Sequence, residues 1–253
     1  METDDLMVGQ ILSRREALKI LGITSAVLLA GCVPGASDIL EATSVPTEAT
    51  SATITGALPA CVVRPEVTEG PYYVDEDLER SDIRSDTGTG VEKEGVLLTL
   101  TFNVTQISND SCTPLKGAKV EIWHCDADGV YSAVSDPGFD TTGQNFLRGY
   151  QVTDANGQAT FVTIYPGWYS SRCVHIHFKI HHDVSDQSLE FTSQLFFDDS
   201  LSDQVFTQEP YASKGKRDTL NSTDNIYNDQ LLLTVTQADE GYAAIFDIGL
   251  QMA

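Results

Sequence analysis

Apolar and polar residues alternate from residue 174 to residue 180, and this alternation constrains the fold more than any other feature of the sequence. The even-numbered positions are all apolar, whereas His175 and His177 occupy odd-numbered positions. A period of two predicts a β-strand, on which these two imidazoles share one face with their backbones roughly 6.5–7 Å apart. That spacing suits two histidines that converge on one metal ion. Two histidines on the polar face of an edge strand would give the same pattern.

Other short alternating segments extend this prediction to the region after residue 60. Strands are predicted at residues 96–104, 118–124, 149–153, 158–164, 191–197, 230–236 and 242–248. Asn156-Gly157 is a strong hairpin signal, and residues 132–148 and 199–228 are interpreted as loops. Because no long segment has a helical period, the sequence predicts an all-β sandwich or barrel with long loops and little helix.

The first 31 residues are typical of an export signal. Two adjacent arginines precede an apolar run at residues 20–30, which is too short to span a membrane comfortably. The run ends in Leu-Ala-Gly-Cys, which resembles a lipoprotein processing box with Cys32 as the residue that would carry the lipid. Residues 1–31 therefore predict a twin-arginine lipoprotein-type signal and attachment outside the cytoplasm, to the membrane's outer face or the cell surface. An amphipathic N-terminal helix is the alternative.

The remainder divides into a predicted flexible tether, residues 32–60, and a predicted globular domain, residues 61–253. The tether is rich in small residues and proline and has no periodicity,. In the domain, an exported protein with four cysteines permits two disulfides. We favour Cys61–Cys112, because these residues lie outside the segments that carry candidate metal ligands. Cys125 and Cys173 either pair with each other or remain buried thiols.

The charge balance argues against one class of partner. The chain has 37 acidic and 15 basic residues, a formal net charge of −22. Nucleic-acid binding requires basic patches, so no nucleic-acid partner is predicted.

Two tyrosines join the paired histidines as candidate metal ligands. Tyr169 follows the turn at Pro166-Gly167, and Tyr131 follows a turn at residues 126–129. The sequence offers no cysteine cluster and no His-Glu-x-x-His motif, so zinc is not favoured, and no two-histidine, one-carboxylate grouping stands out. Two phenolates favour a hard trivalent ion such as Fe(III), because with one hydroxide they would neutralise its charge.

Four segments resemble the intradiol ring-cleavage dioxygenases, a family that includes protocatechuate 3,4-dioxygenase and the catechol 1,2-dioxygenases. They are residues 68–73, 117–131, 163–178 and 193–197, and together they span roughly residues 60 to 200 in the family's order. The resemblance implies the family's antiparallel β-sandwich core and a non-haem Fe(III) cofactor with O2 as co-substrate.

The resemblance also implies a role for individual residues. Tyr131 and His175 fall on the equatorial iron ligands, and Tyr169 and His177 fall on the axial ones, with Tyr169 leaving the metal when substrate chelates. Arg172, Gln194 and Tyr169 form the candidate catalytic set. Pro71, Tyr72 and Arg172 form the candidate substrate-binding set.

The implied reaction cleaves a catecholic ring with O2 to a cis,cis-muconate-type diacid, a step of aromatic compound catabolism. One alternative is a surface-anchored β-sandwich binding module of the same fold without catalysis, and another is a zinc hydrolase that uses the two histidines. Catechol, protocatechuate, hydroxyquinol and larger catechols all fit the dioxygenase interpretation, and no oligomeric state is predicted.

Overall fold

The structure is a computed structural model that describes residues 61–108, 111–184 and 187–251. The predicted signal at residues 1–31 and the predicted tether at residues 32–60 lie outside these ranges. Within them, no helix has the length and apolar character that a membrane span requires.

One sheet is built around the longest strand. Its members are β1 (Leu97–Ser108), β2 (Ser111–Pro114), β7 (Gln158–Ile164), β10 (Thr234–Gln237) and β11 (Tyr242–Gln251). The order is β10-β11-β1, and β7 and β2 share the other edge of β1. Every second residue of the first part of β1, from Leu98 to Val104, is completely buried, as expected for a strand with one face on a core.

The second sheet carries the paired histidines. It contains β3 (Lys119–Trp123), β6 (Arg148–Val152), β8 (His175–Val184) and β9 (Gln187–Phe196), in the order β6-β3-β8-β9, and all its neighbouring strands are antiparallel. A small hairpin of β4 (Ser135–Asp136) and β5 (Phe139–Asp140) lies in the loop between β3 and β6.

The core lies between these two sheets and is rich in phenylalanine. Phe102 of β1 packs on Phe178 of β8 with ring centroids 5.3 Å apart, and Phe246 of β11 lies 5.5 Å from Phe178. All three side chains are at most 1% exposed. The predicted all-β sandwich is therefore confirmed. The pairing of β1 with β11 differs from the predicted antiparallel arrangement, since these two strands run in parallel. A long connection between them makes this possible.

Two local predictions were wrong. Residues 199–228 are not all loop, since they include the helix α1 (Asp199–Val205). The Asp198 side chain caps it by accepting hydrogen bonds from the Ser200 and Leu201 amides,. The strand predicted from residue 230 begins at Thr234, because Asp229–Leu231 forms a 3-10 turn.

The cysteines follow the favoured pairing. Cys61 and Cys112 form a disulfide with their Cα atoms 5.6 Å apart, which links the start of the described chain to β2. Cys125 and Cys173 are both free and buried, so the alternative of two buried thiols holds for them.

The face of the second sheet that points away from the core carries polar residues, and an extended arm, residues 67–73, lies across it. Lys179 of β8 pairs with Glu69 of the arm. Gln194 of β9 donates to the Thr68 carbonyl over 2.7 Å. Gly70 passes so close to His177 that a Cβ atom there would lie 3.0 Å from the imidazole Cε1 atom. The arm therefore closes one side of the histidine pair.

Candidate metal centre

The two histidines stand side by side at the beginning of β8. Both are buried, and their Nε2 atoms lie 3.0 Å apart. The Nδ1 atom of His175 donates to the Cys173 carbonyl over 2.7 Å, which leaves the lone pair on Nε2. Burial, followed by the charge of Arg172, lowers the pKa of His175 to about 3. Burial and the neighbouring His175 lower the pKa of His177 well below its ordinary value. Both imidazoles are therefore neutral, the form that binds metals.

Both predicted tyrosines reach the same imidazole. The Tyr131 hydroxyl lies 3.4 Å from the His175 Nε2 atom, and the Tyr169 hydroxyl lies 3.2 Å from it. The structure thus brings together all four predicted metal ligands, although they come from separate segments. Their oxygen and nitrogen atoms converge on one point.

The donor set fits a multivalent cation. Burial is the main reason that the pKa of each phenol is raised above its ordinary value, so neither ionises unless a positive charge compensates it. The buried Nδ1 atom of His177 has no hydrogen-bond partner within the described residues. A hard cation at the point of convergence would accept the imidazole lone pairs and stabilise both phenolates.

Tyr131 is fixed by a buried network of backbone contacts. Thr141 donates through Oγ1 to the Tyr131 carbonyl over 2.6 Å. Arg148, only 2% exposed, donates through Nε and Nη2 to the carbonyl of Ser132, and through Nη2 to the Tyr72 carbonyl over 2.7 Å. The Tyr131 side chain itself is completely buried. This phenol is therefore part of a packed core.

Tyr169 lies on the loop between β7 and β8. A Cβ atom on Gly167 would lie 2.3 Å from the Ala127 carbonyl oxygen, so only glycine allows this loop to approach the Tyr131 turn. Asp218 accepts a hydrogen bond from the Ser170 hydroxyl over 2.6 Å and one from the Ser171 amide over 3.2 Å. Lys214 donates to the Trp168 carbonyl. Polar contacts from residues 214–218 therefore hold both sides of Tyr169.

The predicted catalytic pair, Arg172 and Gln194, is also brought together. Arg172 donates through Nη2 to the Gln194 Oε1 atom over 2.6 Å and through Nε to Asp224 over 2.8 Å. Burial would raise the pKa of Asp224, but hydrogen bonds from the Cys173 and Ile226 amides and from Arg172 lower it to about 2. Cys173 thus contributes through its backbone, because its amide binds Asp224 and its carbonyl binds His175.

The predicted substrate-binding residues Tyr72 and Pro71 differ in their contacts with the metal ligands. The Tyr72 ring stacks on Tyr131 with centroids 4.5 Å apart and meets Tyr169 edge-on at 5.9 Å. Its hydroxyl donates to Asp136 over 2.9 Å. Pro71 is exposed and begins the turn that delivers Tyr72.

Sequence reasoning missed four side chains that organise this site. They are Trp123, which stacks on His177 at 5.1 Å and 8°, Arg148, Asp136 and Asp224. Trp123 pairs in register with both Arg148 and His177, and His177 pairs with Gln194. The alternation of β3 was a signal that Trp123 and Glu121 share a face. No local signal marks Asp136 or Asp224, which lie in polar loops.

In the described part of the chain, no group of three or more His, Cys, Asp or Glu side chains is placed to hold a metal ion. The candidate centre therefore depends on its two phenols as much as on its two imidazoles.

Both the sequence and the fold are similar to those of known proteins. Residues 68–252 match a family model described as Dioxygenase. The chain is 31% identical over 169 residues to the protocatechuate 3,4-dioxygenase beta chain of Burkholderia cepacia, covering 61% of this chain and 70% of that one. It is 37% identical over 109 residues to the catechol 1,2-dioxygenase of Acinetobacter baylyi, covering 42% of this chain and 32% of that protein.

The solved structure of an intradiol ring-cleavage dioxygenase from Tetranychus urticae superposes with a TM-score of 0.66 at 32% identity. The match covers 76% of this chain and 95% of that one.

Proposed function

This chain belongs to the intradiol ring-cleavage dioxygenase family, and we propose that it cleaves catecholic rings with O2 to cis,cis-muconate-type diacids. The observation that carries the proposal is the convergence of Tyr131, Tyr169, His175 and His177 on one point. These four side chains would hold a non-haem Fe(III) ion. The relatives named above act on protocatechuate and catechol, and we propose a small catecholic molecule as the substrate here as well.

When bound, the ferric ion would supply the Lewis acidity and electron-accepting capacity that make a chelated catechol reactive toward O2. The chain's own contribution begins with the histidines. The hydrogen bond from the His175 Nδ1 atom to the Cys173 carbonyl fixes the ring orientation and the tautomer,. Trp123, stacked on His177, and Gly70 of the arm, which passes close to the same ring, cover that side of the site.

Tyr169 is the residue that we assign to proton transfer. The residue as a whole is partly exposed, and burial of its phenol raises the pKa above the ordinary value. A phenolate at this position would therefore take a proton from a catechol hydroxyl onto its Oη atom and retain it. Tyr131 is completely buried, so we assign it the permanent ligand position.

Arg172 would stabilise negative charge on the substrate ring. Its positive charge lowers the pKa of His175, and it partly offsets the rise that burial causes in the pKa of Tyr131 and Tyr169. Its field therefore favours anions at the place where the four ligands meet. Asp224 and Gln194 hold the guanidinium in position, and we assign Gln194 the role of orienting it toward the substrate.

The test is reconstitution of the purified domain with iron under air. We expect a coloured protein with a tyrosinate-to-Fe(III) charge-transfer band, one equivalent of O2 consumed per catechol, and a muconate-type product identified by mass spectrometry. A protein that stays colourless and iron-free after reconstitution would overturn the proposal. Catechol binding without O2 consumption would support the binding-module alternative instead.

We propose that the protein is exported and lipid-anchored, because the twin-arginine pattern and the Leu-Ala-Gly-Cys sequence that ends at Cys32 resemble an exported lipoprotein's signal. Membrane fractionation of the full chain and its Cys32→Ala variant tests this. The wild type should be found with the membrane and the variant should not. Equal distribution of the two would contradict the anchor.

A further inference from the structure

We propose that Asp136 determines substrate charge, so that this enzyme prefers catechols with an uncharged or cationic substituent over catechols with a carboxylate. The inference rests on the proposed function, since it specifies the substrate class of that same site. It concerns a residue that has no part in holding the metal or in the ring chemistry.

Asp136 is held rigidly at the edge of the site by the β4–β5 hairpin. Its Oδ1 atom accepts a hydrogen bond from the Gly138 amide over 3.0 Å, and its backbone pairs in register with Phe139. The Phe139 ring lies 6.4 Å from the Tyr72 ring. The hairpin therefore places a carboxylate and an aromatic ring together against Tyr72.

Tyr72 connects this carboxylate to the metal ligands. Its hydroxyl donates to the Asp136 Oδ2 atom over 2.9 Å, while the same ring contacts Tyr131 at 4.5 Å and Tyr169 at 5.9 Å. This hydrogen bond brings the charge of Asp136 to the Tyr72 hydroxyl. One aromatic side chain thus separates a fixed negative charge from the two phenols.

Asp136 contacts Tyr72 and its own hairpin rather than a basic side chain. Across residues 61–251 as far as the structure describes them, Asp136 forms no ion pair with a basic side chain. The basic residues beside the ligands have other partners. Arg172 binds Asp224 and Gln194, and Arg148 binds backbone carbonyls.

In the proposed complex the two hydroxyl groups of a catechol face the four ligands, and Tyr72, whose ring contacts two of those ligands, is positioned to meet a ring substituent. A carboxylate there meets a like charge inside a partly dehydrated site, whereas an ammonium group meets an opposite one. Two charges interact more strongly in the low dielectric near a protein than in bulk water. Charges close to a binding site change specificity more than overall affinity. We expect an effect of about tenfold for each substrate charge.

The experiment compares three substrates on iron-loaded wild type, Asp136→Asn and Asp140→Asn. The substrates are catechol, protocatechuate with its carboxylate, and 4-(2-aminoethyl)catechol with its ammonium group. The amide of Asp136→Asn keeps an acceptor for Tyr72 and removes only the charge. Asp140 is the matched control, because it lies on the same hairpin but is fully exposed, and its carboxylate accepts hydrogen bonds from Thr142. Two quantities are measured, kcat/KM under air and the dissociation constant by spectral titration without O2.

In Asp136→Asn we expect the protocatechuate-to-catechol ratio to rise about tenfold and the aminoethylcatechol-to-catechol ratio to fall about tenfold. Asp140→Asn should leave both ratios within twofold of wild type. A change in pocket shape would move both ratios in the same direction, so opposite changes identify charge. Ratios in Asp136→Asn that match those of Asp140→Asn overturn this inference alone. If the wild type cleaves none of the three substrates, the proposed function fails, and the inference fails with it.

Discussion

Tyr131 and Tyr169 bring the same phenol to the same imidazole nitrogen, at 3.4 Å and 3.2 Å, yet the protein holds them in opposite ways. Tyr131 is completely buried, and a buried arginine and a buried threonine fix the backbone around it. Tyr169 is partly exposed, on a loop held by the side chains of Asp218 and Lys214. Tyr131 belongs to the packed core, whereas Tyr169 lies in a loop that packs against the edge of that core.

This difference gives a physical reason for unequal roles. Moving the Tyr131 ring would open a cavity in the core and separate it from the Tyr72 ring stacked on it, which costs several kcal/mol for an aromatic side chain. Moving the Tyr169 ring disturbs a loop residue that is already partly exposed. If one phenol leaves the metal when substrate binds, displacing Tyr169 costs less free energy than displacing Tyr131.

Replacing the phenols themselves should have the largest effect. Tyr131→Phe removes a donor whose surroundings cannot rearrange, so we expect iron affinity to fall by more than about 100-fold and activity to disappear. Tyr169→Phe should retain more iron, because its loop can move and admit water in place of the phenol. Metal analysis after dialysis and the charge-transfer spectrum provide the measurements. Equal iron loss in the two variants would show that the difference in burial between the two tyrosines does not affect metal binding.

Arg148→Met should have the next largest effect, on the free energy of unfolding. The substitution keeps much of the side-chain volume but leaves the buried Ser132 and Tyr72 carbonyls without the donors that they now have. Lost hydrogen bonds from a charged donor cost about 3 kcal/mol in total. Urea unfolding measures this loss, and Arg148→Lys should recover part of it. A loss below about 0.5 kcal/mol would mean that the Tyr131 side is less rigid than its burial suggests.

Acid should lower the free energy of unfolding by protonating Asp224, which binds the loop that carries Tyr169. Its folded-state pKa of about 2 lies below that of an unfolded aspartate, about 3.9. The stabilisation is therefore fully present above about pH 4 and is lost as the pH falls toward 2, and it amounts to about 2 kcal/mol. Asp224→Asn should be less stable than wild type at pH 7 and nearly equal to it at pH 2. Thermal unfolding across this range is the measurement, and a constant difference between the two proteins would contradict the assignment.

The sequence predicted much of this architecture and a definite part of the site. Alternation located β1, β3, β7 and β8 within a few residues, because each buries one face on the core. The resemblance named the four ligands together with Arg172 and Gln194, and the structure brings all six together. The cross-strand row of Arg148, Trp123, His177 and Gln194 was missed, because register depends on how strands pair and each strand alone carries no record of it.

Asp136, Asp218 and Asp224 were missed for another reason. Asp136 lies on the short β4–β5 hairpin, and the other two lie in irregular loops. All three bond to residues at or beside the site, but among 37 acidic residues nothing local distinguishes a carboxylate that binds a catalytic loop from one that faces solvent. Such contacts depend on tertiary structure, which periodicity does not describe.

The smallest effect on stability, and the sharpest test of the asymmetry, should come from Asp218→Ala. Asp218 is exposed, so losing its bonds to Ser170 and Ser171 should cost less than about 1 kcal/mol. The loop would nevertheless hold Tyr169 less firmly, and the phenol would leave the metal more easily. We expect a shifted charge-transfer band in the absence of substrate and a changed kcat, with the melting temperature nearly constant. Asp154→Ala, which removes an exposed carboxylate that accepts hydrogen bonds from the Asn156 and Gln158 amides in the turn between β6 and β7, is the control and should leave the band in place. If Asp218→Ala also leaves it in place, the position of Tyr169 depends on its own packing, and the two phenols are held more alike than their surroundings indicate.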